Sequence, residues 1–339
     1  MGFRIAMTSE EYMRSCGEHL RQLGWDLTYA DTHEATERQT VDVFRGFDGV
    51  IAVHEPLSEL VFEGLKERLK IVCRFGLGYE TVDLHAASAR GICVTNTAGM
   101  MAAGVAEIAL LLMLEAGRQA AKYDAMVQRG DWGKLRQGSR LEGKTVGIIG
   151  FGSIGRRLAR YCSGFGCRIL AYDVAYDRDS LKQGNATPVS LNELARQSDY
   201  VSVNCPLTPQ TRHIVDGAFL EAMKPTAFFV NTSRGATVDE QALVCALKDG
   251  RIAGAGLDVF ETEPLPACSE LRGLDNVILL PHIASFTNEC YYETIEDIHR
   301  TLKAFTEGKM PEHCLNPDYI TNERIFDEPL VGADGNLVI

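Results

Sequence analysis

The sequence predicts an α/β protein of doubly wound parallel sheets, and three observations carry that expectation. Short apolar runs rich in β-branched residues alternate along the chain with stretches of helical periodicity, the pattern that parallel strands with helical crossovers produce. The most regular unit, residues 144–173, reads KTVGIIGFGSIGRRLARYCSGFGCRILAYD and places three glycines between a strand and a helix. Later strands end in polar clusters, at Asn204 and Cys205, at 231–234, at Asp258 and at His282. In a doubly wound sheet such ends face one crevice.

Taken in order, residues 4–7 read as a strand, 10–23 as a helix and 49–53 as a strand after the turn at Phe47 and Asp48. Residues 60–69 read as a helix, 71–75 as a strand, 82–89 as a short helix and 92–95 as a strand. No glycine fingerprint follows the first of these strands, so this half is not expected to hold a nucleotide. Residues 104–128 form one long helical run, stopped by Gly130, Asp131, Trp132 and Gly133. Nine of the ten residues from 105 to 114 are apolar, which describes a helix with neighbours on every side. The stretch is far short of the roughly 20 residues that a bilayer requires. It is the expected connector between domains and a subunit-contact element. Beyond residue 173, helices at 191–195, 216–223 and 239–248 alternate with strands at 200–204, 227–231, 255–259 and 277–280.

Composition narrows the function classes. A chain of 339 residues with 45% hydrophobic content is long enough for two domains and too apolar for extensive disorder. Its 46 acids against 34 bases, net −12, argue against a nucleic-acid or anionic-membrane surface. The ten cysteines show no CxxC pair and no Cys/His cluster at zinc spacing, so no disulfide frame and no metal are expected. The opening MGFRIAMTSE is a strand and a turn rather than a signal peptide, which points to the cytoplasm.

The glycine-rich unit carries the strongest signal. Gly150, Phe151, Gly152, Ser153, Ile154 and Gly155 follow a strand and open a helix, and Asp173 ends the next strand 18 positions after Gly155 (173 − 155). That context is the dinucleotide-binding fingerprint. Gly150 permits a tight turn, Gly152 lets backbone N–H groups approach a pyrophosphate, and Gly155 lets the helix close on the strand. Asp173 can accept hydrogen bonds from both ribose hydroxyls and would repel a 2′-phosphate, and Val174, Ala175 and Tyr176 offer no cation. NAD is therefore favoured over NADP.

Three ionisable groups stand at or just after strand ends: Arg234 in TSRG, Glu263 in ETEP and His282 in PHIAS. An arginine matches a carboxylate in two-point contact. A histidine exchanges protons near neutral pH, and a carboxylate beside it orients the ring and stabilises the imidazolium. Together they are the parts for oxidising a hydroxy acid. Just past an earlier strand, Gly76 and Gly78 in RFGLGY would let backbone N–H groups face an anion, with Arg74 beside them as an anion holder or a solvated strand-end residue. His54, His85, His213 and His299 lack such company and read as structural.

The ordered motifs RFGLGYETVDL, VTNTAGMMAAGVAEIAL, LEGKTVGIIGFGSIG, CPLTPQTRHIV, FVNTSRGATVDEQAL, GAGLDVFETEP and LPHIAS lie between residues 69 and 317. Through them the chain resembles the D-isomer-specific 2-hydroxyacid dehydrogenases, which include phosphoglycerate dehydrogenases and glyoxylate/hydroxypyruvate reductases. The resemblance implies two Rossmann-like or flavodoxin-like domains, with a cofactor domain (101–289) inserted into a substrate domain (1–100 plus 290–317, including a last helix). It leaves residues 318–339 as a tail without assigned role, and it implies a homodimer. It further implies Arg234, Glu263 and His282 as catalytic residues. Asp258 would contact the nicotinamide carboxamide, Cys205, Pro206 and Thr211 would lie along the cofactor, and Thr232 would lie near the nicotinamide. Gly76 and Leu77 would present backbone to the substrate carboxylate, and Arg74 is a further substrate-binding candidate, in a pattern that resembles the phosphoglycerate-type members. Ala98 stands where the family usually has proline, and Ser285 with Phe286 replaces a commonly small pair.

Residues 48–58, DGVIAVHEPLS, are expected to face the substrate and carry no arginine or lysine. A small 2-hydroxy or 2-keto acid therefore ranks ahead of D-3-phosphoglycerate. The rival class is an NAD(H)-sensing corepressor-like binding protein, whose members keep the same three residues; the acidic balance favours an enzyme.

Overall fold

The computed structural model describes residues 2–133, 135–175 and 178–321, and most of the tail assigned to 318–339 therefore lies outside the described residues. The chain divides into two compact units, Met1–Met101 with Thr287–Ile339, and Ala102–Phe286.

The first unit is a five-stranded sheet of β1 (Arg4–Met7), β2 (Asp26–Tyr29), β3 (Gly49–Ala52), β4 (Ile71–Arg74) and β5 (Cys93–Thr95), in the order β2-β1-β3-β4-β5. Every pairing is parallel. Both faces of β1, β3, β4 and β5 are buried, which is why these strands are largely apolar runs rather than alternating ones, whereas the edge strand β2 buries only Leu27. Ile5, Met7, Ile51, Ile71, Cys73 and Cys93 enter one core, and Ala6, Val50, Ala52, Val72 and Val94 enter the other. The helix Asn288–Thr306 packs on the first face through Ile295, Ile298, Leu302 and Phe305, at helical spacing, with Thr287 accepting the Cys290 N–H as its cap.

The second unit is a seven-stranded sheet of β6 (Thr145–Ile149), β7 (Arg168–Tyr172), β8 (Ala186–Pro188), β9 (Tyr200–Val203), β10 (Phe228–Asn231), β11 (Gly254–Leu257) and β12 (Val277–Leu279), in the order β12-β11-β10-β9-β6-β7-β8. All pairings are again parallel. The chain leaves β6 toward β7 and β8, then returns to β9 on the opposite flank of β6. That reversal opens a crevice past the carboxyl ends of β6 and β9. Val146, Ile148, Ile169, Tyr200 and Val230 fill one side of the sheet, and Ile149, Val201, Val203, Phe229 and Leu257 the other.

The long run expected at 104–128 is two helices, Ala102–Arg118 and Ala120–Gln128. The break is Gln119, left-handed at φ 53. Glu115 stabilises it by accepting the Ala120 and Ala121 N–H groups at 3.1 and 2.8 Å. The first helix is buried at Ala106, Ala109, Leu112 and Met113, and the second buries no residue. Among the described residues, two strands and two α-helices have no counterpart in the sequence reading: β2, β8 and the helices Glu37–Phe44 and Arg178–Gln183. Among the described residues no helix is long and apolar enough to cross a membrane.

Candidate active site

The glycine loop forms a cradle at the switch point. Gly150 is left-handed at φ 91, and a Cβ there would stand 2.5 Å from the Cys205 backbone nitrogen past β9. A Cβ at Gly155 would stand 2.2 Å from Gly150 O. Both glycines are therefore required by the protein's own packing. A Cβ at Gly152 would meet nothing within 4 Å, so this glycine faces open space, where a ligand can come close to the backbone. Gly152 also caps the helix Ser153–Ser163 without any side-chain cap, leaving first-turn N–H groups of an eleven-residue helix for an anion. Asp173, at the end of β7, accepts the Phe151 N–H at 2.6 Å and the Ala175 N–H at 3.3 Å. Its carboxylate thus stands beside the loop that would hold the pyrophosphate.

The ends of β9 and β10 add polar atoms. Thr232 Oγ1 and Asn204 Oδ1 are buried with no hydrogen-bond partner among the described residues. Buried polar atoms of this kind are normally satisfied, and a carboxamide, which both donates and accepts, suits them. The loop after β9 is knit by Thr211, whose hydroxyl donates to Pro206 O at 2.6 Å and accepts the Thr208 N–H at 2.7 Å. Cys205 is buried, which pushes its thiol up to about 11. Ser233 Oγ donates to Cys205 O and ties the two strand ends together. The residues present fit a dinucleotide.

His282 and Glu263 meet, with His282 Nδ1 2.6 Å from Glu263 Oε2. Glu263 Oε1 accepts the Phe260 N–H at 2.9 Å. Burial, the largest single influence, pushes the Glu263 carboxyl up. The His282 and Phe260 hydrogen bonds and the charges of His282 and Arg234 outweigh it and hold the group below its usual range. An ionised Glu263 can only accept, so Nδ1 carries the proton and Nε2 remains for chemistry. Arg234 follows β10; its side chain donates to Ser233 O at 2.9 Å.

His282 is left-handed at φ 56, a conformation that non-glycine residues adopt only where surroundings enforce it. Asp258, fully buried at the end of β11, enforces it. Its two oxygens accept the Ile283 and Ala284 N–H groups at 2.9 and 2.8 Å. Burial nonetheless pushes the Asp258 carboxyl above its usual range. The sequence suggested a cofactor contact for Asp258 and gave no hint of this clamp, because the clamp depends on β11 lying beside β12. His213, read as structural, pairs with Glu261 at 2.8 Å, and Glu261 and Glu240 each accept the other's backbone N–H.

In the first unit, Arg74 is buried rather than solvated, and its Nε donates to Gly78 O at 3.1 Å. Gly76 is left-handed at φ 143, and its N–H donates to Thr97 Oγ1 at 3.0 Å. Asn96 Nδ2 donates to Leu77 O at 2.8 Å. Two side chains beyond β5 thus fix the 76–77 loop. Neither was singled out in the sequence, where they read only as part of VTNTAG.

Known proteins resemble this chain in sequence and fold. The sequence family described as "D-isomer specific 2-hydroxyacid dehydrogenase, NAD binding domain" matches residues 110–284. A glyoxylate reductase of Thermococcus litoralis is 41% identical over 263 residues, covering 75% of this chain and 79% of that protein. A crystal structure of a glyoxylate reductase from Paecilomyes thermophila superposes with a TM-score of 0.83 at 31% identity, covering 92% of this chain and 99% of that one. A D-lactate dehydrogenase from Aquifex aeolicus, crystallised with NAD and lactic acid, gives 0.77 at 28% identity, covering 90% and 96%. The glycine cradle, the doubly wound sheets and these matches agree, and the chain belongs to the D-isomer specific 2-hydroxyacid dehydrogenase family as an NAD-dependent enzyme.

Proposed function

We propose that this enzyme interconverts a small, unphosphorylated 2-keto acid and its D-2-hydroxy acid, with glyoxylate as the simplest candidate. The observation that carries the reading is the 2.6 Å His282–Glu263 pair, with the Arg234 charge close enough to act on the same carboxylate. Bound in the glycine cradle, the nicotinamide supplies or accepts the hydride. In the direction of reduction, His282 Nε2 delivers a proton to the keto oxygen as it becomes a hydroxyl. Glu263 keeps the ring oriented and stabilises its charged form before delivery. Arg234 presents its planar fork to the substrate carboxylate and draws electron density from the keto group. In the first unit, the Leu77 N–H has no hydrogen-bond partner among the described residues, whereas the Gly76 N–H is held by Thr97. The helix Ser153–Ser163 receives the pyrophosphate, Asp173 the ribose hydroxyls, and Thr232 and Asn204 the carboxamide. Cys205, Pro206 and Thr211 line the path between. Residues 48–58, which lack any basic side chain, favour an uncharged substrate tail over a phosphate.

Steady-state kinetics on glyoxylate, hydroxypyruvate, pyruvate and phosphohydroxypyruvate, with NADH and with NADPH, tests the proposal. The highest kcat/KM is expected for an unphosphorylated acid with NADH. No turnover on any of them, or preference for the phosphorylated acid, would overturn it. A homodimer is part of the same reading. Leu111, Val127, Trp132 and Leu135 are exposed large apolar residues on the second unit, with Trp132 84% exposed, a sign of a contact surface. Light scattering at a monomer mass would exclude it.

A further inference from the structure

The first unit holds a thiol pair that the redox chemistry above does not use. Cys93 lies on β5 and Cys314 on the segment after the helix Asn288–Thr306, with their sulfurs 3.9 Å apart. Backbone pairing sets that contact. Leu315 N–H donates to Val94 O at 2.8 Å and Asn96 N–H to His313 O at 3.3 Å, making Thr95 and Cys314 antiparallel partners. Side chains two apart on a strand share a face, so Cys93 and Thr95 both face Cys314. Asn316 locks the register by accepting the Val94 N–H at 2.7 Å and donating to Ile92 O at 2.9 Å. The two thiols are not equivalent. Cys93 is buried and Cys314 is partly exposed. The hydrogen bond from Cys93 lowers the Cys314 thiol, against burial, and raises its own. A partly exposed cysteine whose thiol is lowered, within reach of a buried second thiol, is the arrangement of oxidant-sensitive pairs.

We propose that Cys314 and Cys93 form a dithiol that a hydroperoxide oxidises reversibly to a disulfide. The Cys314 thiolate attacks one peroxide oxygen and the O–O bond breaks. Cys314 becomes a sulfenic acid, and the departing oxygen takes a proton to leave as water or alcohol. The Cys93 thiol then attacks the sulfenic sulfur, the S–S bond forms, and a water leaves. The two sulfurs lose two electrons and two protons in all, and the peroxide receives them. A thiol reductant reverses the change by exchange. The tie lies on the strand that continues into Asn96 and Thr97, whose side chains hold the 76–77 loop. Oxidation therefore stiffens the support of that loop.

The full chain, treated with hydrogen peroxide, capped with iodoacetamide and digested with trypsin without reduction, tests this. Peptides 91–118 and 310–324 are expected as a disulfide-linked pair that dithiothreitol dissolves and Cys314→Ser abolishes. In Cys93→Ala the reaction should stop at the Cys314 sulfenic acid, trapped as a dimedone adduct. Amide exchange across 94–97 and 313–316 should slow by roughly several-fold on oxidation. Recovery of both cysteines alkylated while exposed Cys245 and Cys268 oxidise would overturn the pair. A linked pair with unchanged exchange would overturn the stiffening.

Discussion

Glu263→Gln keeps the shape of the side chain and removes its charge. In the native site one oxygen accepts the Phe260 N–H and the other faces the His282 ring at 2.6 Å. A glutamine that keeps the Phe260 bond turns its –NH2 toward Nδ1. The ring must then meet a donor with a donor or take the other tautomer, and either choice removes the stabilisation of its charged form. A hydrogen bond to a charged group is worth about 1.5–3 kcal/mol. The His282 and Glu263 side chains are 39% and 34% exposed, so solvent screening puts the loss at the low end, about 1.5 kcal/mol. That is roughly tenfold in kcat. The assay is 2-keto acid reduction with NADH between about pH 3 and 9, alongside NADH binding by fluorescence. The kcat should fall and NADH binding should hold. The acid side follows from Glu263's depressed pKa. The pair's contribution is complete above the ordinary carboxylate range and is lost as pH falls through the folded value, a loss the variant should lack. A variant with the parent's rate and pH profile would refute Glu263 as the orienting group.

Three further substitutions separate the parts of the site. His282→Ala should lower kcat by roughly two to four orders of magnitude with little change in NADH affinity, read by steady-state kinetics; unchanged turnover removes the proton donor from the mechanism. Asp173→Ala should weaken NADH binding by roughly tenfold or more and narrow the gap to NADPH, read by fluorescence titration; a parent enzyme that already prefers NADPH would contradict the role given to Asp173. Gly235→Ala would put a Cβ 1.8 Å from the Phe260 backbone carbon. An overpacked joint costs about 1–3 kcal/mol and should lower Tm by roughly 2–12 °C by calorimetry; an unchanged Tm would mean that the contact is not tight.

The sheets were legible because most strands are buried on both faces and spell continuous apolar runs. The strands that escaped are edges. Only Leu27 is buried in β2, and no residue is buried in β8, so neither carries an apolar pattern. The helix Glu37–Phe44 did carry a signal, the Thr36/Gln39 capping box, and the last helix carried one in the spacing of Ile295, Ile298, Leu302 and Phe305. The break falls on Gln119, neither a glycine nor a proline, because a glutamate side chain, not a backbone preference, stabilises the turn. At the site, residue types and glycine spacing were readable along the chain. The supports were not, because Asp258 reaches the 283–284 backbone and Thr97 reaches Gly76 across neighbouring strands.

Those supports explain how three groups from separate strand ends keep their relative geometry. Arg234, Glu263 and His282 each ride on backbone that another segment fixes. The 234–235 turn presses on the 260–261 backbone so closely that only glycine fits at 235. The segment leading to Glu263 is further fastened by the reciprocal Glu240 and Glu261 bonds, with His213 against the Glu261 carboxylate. His282 is held left-handed by Asp258, and its ring by Glu263. A displacement at any one joint is therefore passed to a reacting group as a change of position or angle, and proton delivery depends steeply on both. Variation at Asp258, Gly235 or Glu261 should alter turnover more than cofactor affinity, although among these only Asp258 had been singled out in the sequence.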